Sequence, residues 1–178
     1  ARAAAMRGAD VTLIHGPTAL PPVKFTEDVP ITTAQDMYEA VTSRFADMDI
    51  LVMAAAVADY RPATVADDKI KKKDGDLSIP VERTADILGT IGPRKTKQFL
   101  CGFSMETRDM VENSAAKLKK KNLDMVVANN LKVSGAGFGV DTNVVTFITP
   151  DGTRELPLMS KADVADAILD EILKRRGH

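Results

Sequence analysis

Asp49-Ile-Leu-Val-Met-Ala-Ala-Ala56 reads as a buried strand that ends in small residues, and it is the most informative segment for the architecture of the chain. Val57-Ala58-Asp59-Tyr60-Arg61 follows it directly. In open α/β sheets ligands bind beyond the carboxyl ends of the strands, where alanines let them approach the backbone closely. The stretch therefore predicts a ligand site with the Asp59 carboxylate at its mouth. A tightly packed strand end with a solvent-facing aspartate fits the composition equally well.

Strand and helix patterns alternate on both sides of this segment. Such alternation is typical of a Rossmann-like α/β fold, with a mostly parallel sheet and helices on both faces. Helices are predicted at 1–7, after Thr33, at 84–91, at 107–121 and after Ser160; strands at 11–14, 49–56, 77–81, 98–103 and 125–128; a polar loop at 58–76; an irregular glycine-rich stretch at 131–143; and a late β-hairpin at 144–158.

The chain is predicted to form a single nucleotide-binding domain over residues 1–178. It starts inside a helical pattern, whereas a crossover helix normally follows a strand. We therefore expect the first strand and its glycine-rich loop to lie before residue 1.

Three residues are predicted to cap helices. Thr33 with Asp36 three residues later forms a variant of the capping box, and Ser160 precedes the last helix. Thr84 is predicted to cap a short helix, which would leave the backbone N–H groups of residues 85–87 free to bind an anion. Asp86 in that first turn, taken alone, is better explained as a complement to the helix dipole.

Composition excludes several classes of protein. The net charge is −1, so we expect no general affinity for nucleic acid or membranes. One cysteine, Cys101, indicates a reducing compartment such as the cytoplasm, and its apolar surroundings favour a buried, unreactive thiol. The sequence shows no zinc-ligand spacing and no apolar stretch of membrane-spanning length.

Lysines are concentrated in two clusters, at residues 69–73 and 117–121. Lys117 and Lys121 are four residues apart and share one helix face. Each cluster alone is well explained by solvated surface lysines or by cations complementing a helix C-terminus. Two clusters that flank one sheet edge make a triphosphate site more plausible. Phe103, at the end of its strand, either stacks on a base or belongs to the core.

Taken together, these segments resemble the phosphopantothenate–cysteine ligase (phosphopantothenoylcysteine synthetase) family of the bacterial CTP-dependent type. The resemblance covers nearly the whole chain and depends on an ordered set of motifs. The matching segments are Ala55–Arg61, Lys69–Lys72, Gly102-Phe103, Glu106-Thr107, Lys117–Asp124, Ala128-Asn129, and Gly137-Phe138 with Asp141 and Asn143.

The resemblance implies an enzyme of coenzyme A biosynthesis that joins 4′-phosphopantothenate to L-cysteine. CTP would activate the carboxylate as an acyl-cytidylate, pyrophosphate would leave, and the cysteine amine would then displace CMP. The resemblance also implies Mg²⁺, a homodimer, and a fused or partner flavin-dependent decarboxylase, so that FMN is expected only with such a domain.

Site residues follow from the resemblance position by position. Lys69 and Asp59 are expected to be catalytic, with Lys69 stabilising the acyl-cytidylate, and metal ligands are not assigned. The expected CTP site consists of Ala54, Ala55, Asp59, Lys69, Ala85, Asp86, Ile87, Leu88, Phe103, Lys117 and Lys121. Where the family often has Asn-Pro-Asp, this chain has Thr84-Ala85-Asp86, which reduces the precision of the assignment at residues 85–88.

Two other functions compete with this hypothesis. An NAD(P)-dependent oxidoreductase of the same fold class normally carries an acidic residue at the end of its second strand, where this chain has His15-Gly16-Pro17. A non-catalytic nucleotide-binding module would keep the fold without the reaction; the retained lysines and Asp59 disfavour it.

Overall fold

The computed structural model describes residues 1–71, 78–105, 109–130 and 139–177. It contains five α-helices and eleven strands within these ranges. The helices are α1 (Arg2–Met6), α2 (Ala34–Arg44), α3 (Ile87–Ile91), α4 (Met110–Lys120) and α5 (Lys161–Arg176). The strands are β1 (Thr12–His15), β2 (Glu27–Pro30), β3 (Ile50–Met53), β4 (Tyr60–Pro62), β5 (Val81–Arg83), β6 (Phe99–Met105), β7 (Met125–Asn129), β8 (Thr142–Asn143), β9 (Val145–Thr149), β10 (Gly152–Glu155) and β11 (Met159–Ser160).

A five-stranded sheet in the order β10-β9-β7-β6-β3 forms the centre of the fold. β3, β6 and β7 run parallel, whereas β9 is antiparallel to β7 and forms the predicted hairpin with β10. β1 pairs in parallel with β2, and β4 pairs with β5 as an antiparallel ribbon. Because β3 and β6 are parallel, their carboxyl ends lie at the same edge of the sheet.

Helices cover both faces of this sheet, as the alternating pattern predicts. On one face, α2 and α3 bury their apolar side chains against Leu100, Val126 and Ile148 of the strands. On the other face, α5 packs Ile168 and Ile172 against the opposite side of the same strands. Each large apolar side chain buried in this way contributes about 1.5–3 kcal/mol to folding.

The capping predictions are confirmed for two helices and wrong for the third. Thr33 and Asp36 form a reciprocal capping box at α2, and the Ser160 hydroxyl accepts a hydrogen bond from the Asp163 N–H at α5. Asp86, not Thr84, caps α3, because its carboxylate accepts from the Gly89 N–H. The Thr84 hydroxyl instead donates to the Ala58 carbonyl, a partner distant in sequence.

Several strand predictions need correction. β3 is half-buried rather than fully buried, because it lies at an edge of the sheet. The polar loop at 58–76 contains β4, and the strand predicted at 77–81 begins at Val81. No strand was expected at Glu27–Pro30, where β2 lies. The predicted elements at 72–77, 107–108 and 131–138 fall outside the described residues.

Cys101 lies in β6, where its side chain is fully buried, as its apolar neighbours predict. Burial raises the pKa of the Cys101 thiol well above its ordinary value, and the charge of Asp124 adds to this effect. The thiol is therefore a poor nucleophile, since the thiolate is the reactive form. No helix within the described ranges combines the length and the apolar character needed to cross a membrane.

Candidate functional site

An open crevice of about 400 Å³ lies at the carboxyl ends of β3 and β6. The β4–β5 ribbon forms one wall, and α3 and α4 supply the side chains facing it. The lining residues are Met53, Ala55, Val57, Ala58, Asp59, Tyr60, Arg83, Thr84, Ala85, Asp86, Ile87, Leu88, Phe103, Lys117 and Lys121. This is the sheet edge at which α/β proteins bind their ligands.

Residues 54–56 are exposed, so the small residues after β3 do not form a tightly packed strand end. The segment that follows is held by Thr84, the residue directly after β5. The Thr84 N–H donates to the Asp59 carbonyl over 3.0 Å, and the Thr84 hydroxyl donates to the Ala58 carbonyl over 2.5 Å. These two bonds fix the backbone of Asp59 and leave its carboxylate exposed in the crevice.

Lys121 and Asp86 form an ion pair on the opposite wall, with 2.9 Å between Nζ and Oδ1. Burial alone would raise the pKa of the Asp86 carboxyl. The hydrogen bonds from Lys121 and the Gly89 N–H, with the charges of Lys121 and Lys117, outweigh burial and hold that pKa below its ordinary value. Asp86 is therefore charged at neutral pH, and it positions the Lys121 ammonium beside the crevice.

Lys121 lies beside the crevice because the end of α4 is in close contact with the segment after α3. A Cβ added at Gly92 would lie 2.0 Å from the Lys121 carbonyl oxygen, so the residue after α3 must be glycine for the two segments to approach. Asn122, with a φ of 51°, ends α4 in the left-handed conformation and donates from Nδ2 to the Gly92 carbonyl over 2.9 Å. These contacts lock the end of α4 against α3.

Lys117 also faces the crevice, and its ammonium donates to the Phe103 carbonyl over 2.6 Å. Phe103 itself is half-buried and packs against the core cluster under α5. Its backbone therefore binds a lysine of the crevice, while part of its ring belongs to the core. An ammonium has three N–H donors, so Lys121, which donates to Asp86, can also donate to an acceptor of a ligand.

The structure brings nine of the eleven predicted site residues together in this crevice. They are Ala55, Asp59, Ala85, Asp86, Ile87, Leu88, Phe103, Lys117 and Lys121. Ala54 and Lys69 are exposed and do not belong to the lining. The helical lysine pair and Asp59 therefore line one crevice, whereas the predicted convergence of the loop cluster with them is not observed and stays a prediction. Lys72 and Lys73 of the loop cluster lie outside the described residues.

The start of α3 in the structure differs from the prediction of free backbone N–H groups at residues 85–87. α3 begins at Ile87, and its third N–H, at Gly89, is already satisfied by the Asp86 carboxylate. The anion attraction of this end is therefore reduced, because a carboxylate of the chain occupies it. Residues 85–88 line the crevice beside this cap.

Three polar residues that line the crevice, Tyr60, Arg83 and Thr84, were not predicted for the site, and Thr84 was expected only as a helix cap. The Arg83 guanidinium lies 5.7 Å from the centre of the Tyr60 ring. Arg83 follows a stretch predicted as a plain strand, and its partner is 23 positions earlier in the sequence, so no local signal marks it.

Metal-binding capacity at this site is modest. The described residues contain no cluster of three or more acidic, histidine or cysteine side chains. Asp59 offers one exposed carboxylate in the crevice. Mg²⁺ is commonly held by one or two carboxylates together with the phosphates of a ligand, so this arrangement fits a magnesium ion brought by a nucleotide.

Fold and site together define an α/β protein with an open crevice, lined by both cations and carboxylates, at the carboxyl edge of its sheet. The family model described as "DNA/pantothenate metabolism flavoprotein C-terminal domain" matches residues 1–175. The chain belongs to this family.

Individual relatives agree with this assignment. The chain is 49% identical to the coenzyme A biosynthesis bifunctional protein CoaBC of Bacillus subtilis (strain 168), over 97% of this chain and 43% of that protein. It is 44% identical to a protein of an unknown prokaryotic organism named cysteine/cysteine sulfinic acid decarboxylase, over 97% of this chain and 49% of that protein. The chain thus spans less than half the length of these curated relatives.

The fold is also similar to a solved structure. The crystal structure of the C-terminal domain of coenzyme A biosynthesis bifunctional protein CoaBC superposes with a TM-score of 0.81 at 43% identity, and the match covers 98% of this chain and 80% of that one.

Proposed function

We propose that this chain is the synthetase domain of a phosphopantothenate–cysteine ligase, and that its crevice binds the nucleotide that activates 4′-phosphopantothenate. The observation that carries the proposal is the arrangement of Lys117, Lys121 and Asp59 around one crevice at the carboxyl edge of the sheet. The relatives named CoaBC support the pathway, and the pattern of lysines and alanines supports the nucleotide.

The reaction uses the nucleotide to turn a carboxylate into an acylating agent. A carboxylate oxygen of phosphopantothenate attacks the α-phosphorus of CTP, the bond from that phosphorus to the β-phosphate oxygen breaks, and pyrophosphate leaves. The cysteine amine then attacks the acyl carbon, CMP leaves with the electrons of the acyl–oxygen bond, and the ammonium formed loses a proton. The lysines offset phosphate charge as it shifts to the leaving groups.

Several residues in and near the crevice have a part in this proposal. Lys117, anchored by its hydrogen bond to the Phe103 carbonyl, and Lys121, anchored by Asp86, would present fixed positive charge to the phosphates. Lys69, on the exposed segment after the β4 strand, would reach the acyl-cytidylate, and Ala54 and Ala55 would allow close contact with the backbone. Asp59 would accept hydrogen bonds from the nucleotide or hold a magnesium ion, whose charge would help to neutralise the phosphates.

The further properties of the complete protein are part of the proposal. We expect one nucleotide-binding domain in this chain, CTP in preference to ATP, a cytoplasmic homodimer, and a fused or partner flavin-dependent decarboxylase that would carry any FMN. The exposed β10 strand at the edge of the sheet offers a pairing surface for a dimer. A monomeric mass in solution would contradict the dimer.

An oxidoreductase is less well supported by the geometry. The last residue of β1 is His15, and its Nε2 lies 3.0 Å from the carboxylate of Asp28 in β2. β1 contributes no residue to the lining of the crevice among the described residues. A dinucleotide bound in the usual way would need an acidic partner at that strand.

Release of pyrophosphate tests the proposed function. The full-length protein should release pyrophosphate when CTP, Mg²⁺ and phosphopantothenate are all present, and omission of phosphopantothenate should abolish the release. Correctly folded protein that releases none would favour a non-catalytic binding module. Thermal stabilisation by NAD(P)H but not by CTP would favour an oxidoreductase.

A further inference from the structure

Arg83 differs from the other cations of the crevice in its bonding. Lys121 is paired with Asp86, and Lys117 donates to the Phe103 carbonyl. Among the described residues, the Arg83 guanidinium forms no ion pair or hydrogen bond, and its recorded contact is with the Tyr60 ring. Its five N–H donors therefore face solvent in a crevice whose other cations are partly occupied.

The register of the β4–β5 ribbon explains why Arg83 faces the crevice. Tyr60 is opposite Arg83, and Arg61 is opposite Glu82. Directly opposed residues share one face of a ribbon, and successive residues alternate between faces. The acidic neighbour Glu82 is thus turned away, where it forms an ion pair with Arg61 at 2.7 Å.

The charge of the crevice depends on Arg83. Its lining contains three cations, Arg83, Lys117 and Lys121, and two carboxylates, Asp59 and Asp86. Without Arg83 the formal charges of the lining cancel. A guanidinium also offers two parallel donors that match two phosphate oxygens, which an ammonium does not.

We propose that Arg83 binds a phosphoryl group of a ligand in the crevice, and that the Tyr60 ring holds its guanidinium in position. The inference rests on the proposed function for the identity of the ligand. Two phosphoryl groups have the required chemistry, the polyphosphate of CTP and the phosphate of 4′-phosphopantothenate, and the Michaelis constants for the two substrates distinguish them.

The test compares Arg83→Gln, Arg83→Lys and the control Arg61→Gln in the full-length protein. Arg61 lies on the same ribbon but on its other face, so its replacement removes the same charge without touching the crevice. Arg83→Gln should raise KM for one of the two phosphate-bearing substrates by about tenfold or more, the usual effect of losing a charge-assisted hydrogen bond. An increase in KM for CTP assigns Arg83 to the nucleotide, and an increase for phosphopantothenate assigns it to that substrate.

Arg83→Lys should give an intermediate KM, because it keeps the charge and loses the planar fork. Arg61→Gln should leave both constants within about twofold of the wild type, since an exposed ion pair contributes little. The inference is overturned if Arg83→Gln, folded with the melting temperature of the wild type, leaves both constants unchanged.

A direct binding measurement separates this inference from the proposed function. If the wild type shows no catalysis, the proposed ligase function is contradicted. The role of Arg83 is then tested by the thermal stabilisation that inorganic pyrophosphate gives to the wild type and to Arg83→Gln. Greater stabilisation of the wild type than of Arg83→Gln supports phosphoryl binding. Equal stabilisation of the two contradicts it.

Discussion

Lys121 donates a hydrogen bond from Nζ to Oδ1 of Asp86 over 2.9 Å, although 35 residues separate them in the sequence. Asp86 is also the N-cap of α3, so one carboxylate begins a helix and positions a lysine of the crevice. The contact joins the end of α4 to the start of α3. The Asp86 side chain therefore caps α3 and also positions Lys121, and substitutions at Asp86 can separate these two roles.

Replacing Asp86 by alanine or asparagine should give different results. Asp86→Ala removes both the cap and the charge, and loss of an N-cap typically costs about 1 kcal/mol of folding free energy. Asp86→Asn removes the charge but keeps a good cap, and it should cost less than about 0.5 kcal/mol because the Asp86 side chain of the pair is 55% exposed. Urea unfolding of both variants checks this. Equal destabilisation would mean that the charge, not the cap, holds α3.

Acid should remove the contribution of the Asp86 charge. The folded state holds the pKa of this carboxyl below its ordinary value of 3.8, so the charge stabilises the fold above that pH. The contribution falls as the pH drops through the lowered pKa of the folded state. The stability difference between wild type and Asp86→Asn should therefore shrink in acid, as measured by unfolding across a pH series. A difference that grows in acid would contradict the assignment.

Gly92→Ala should destabilise the protein. The new Cβ would lie 2.0 Å from the Lys121 carbonyl oxygen, a backbone atom that cannot move without shifting the end of α4. Overpacking of this kind costs about 1–3 kcal/mol, as denaturant unfolding would measure. Gly16→Ala is the control, because its Cβ meets no atom within 4 Å. Equal stability of the two variants would contradict the close approach of α3 and α4.

Local patterns predicted much of the fold and many residues of the site. The 3.6-residue period of Met37, Val41 and Phe45 identifies the buried face of α2, and all three are in the core. The turn at residues 150–152 predicts the β9–β10 hairpin. The alternation of strands and helices predicts a parallel sheet, and the topology of that sheet determines which strand ends lie side by side. The crevice at those ends is lined by Asp59, Lys117 and Lys121, as expected.

Features that depend on distant partners were not predictable from local sequence. Thr84 is a good capping residue, but its hydroxyl is bonded to Ala58, and Asp86 begins the helix instead. β2 lacks an apolar pattern and exists through its pairing with β1. Arg83 reaches the crevice only because β5 pairs with β4 in one register.

Cys101 should be unreactive in the folded protein. Its side chain is buried in β6, and burial raises the pKa of the thiol, so little thiolate forms in mildly alkaline solution. A thiol reagent such as Ellman's reagent should therefore give no rapid reaction with native protein. In concentrated guanidinium chloride it should titrate the one cysteine of the chain. Rapid labelling of native protein would contradict the position of β6 in the core.

The proposed nucleotide site in this crevice is best tested by the affinity of two matched double variants for CTP. Lys117 and Lys121 line the crevice, whereas Lys119 and Lys120 lie exposed on the same helix, so both double replacements by glutamine remove the same charge. Titration calorimetry should show CTP binding weakened by about tenfold or more in Lys117→Gln/Lys121→Gln, and changed by less than about twofold in Lys119→Gln/Lys120→Gln. Equal affinities in the two variants would contradict a nucleotide site in this crevice.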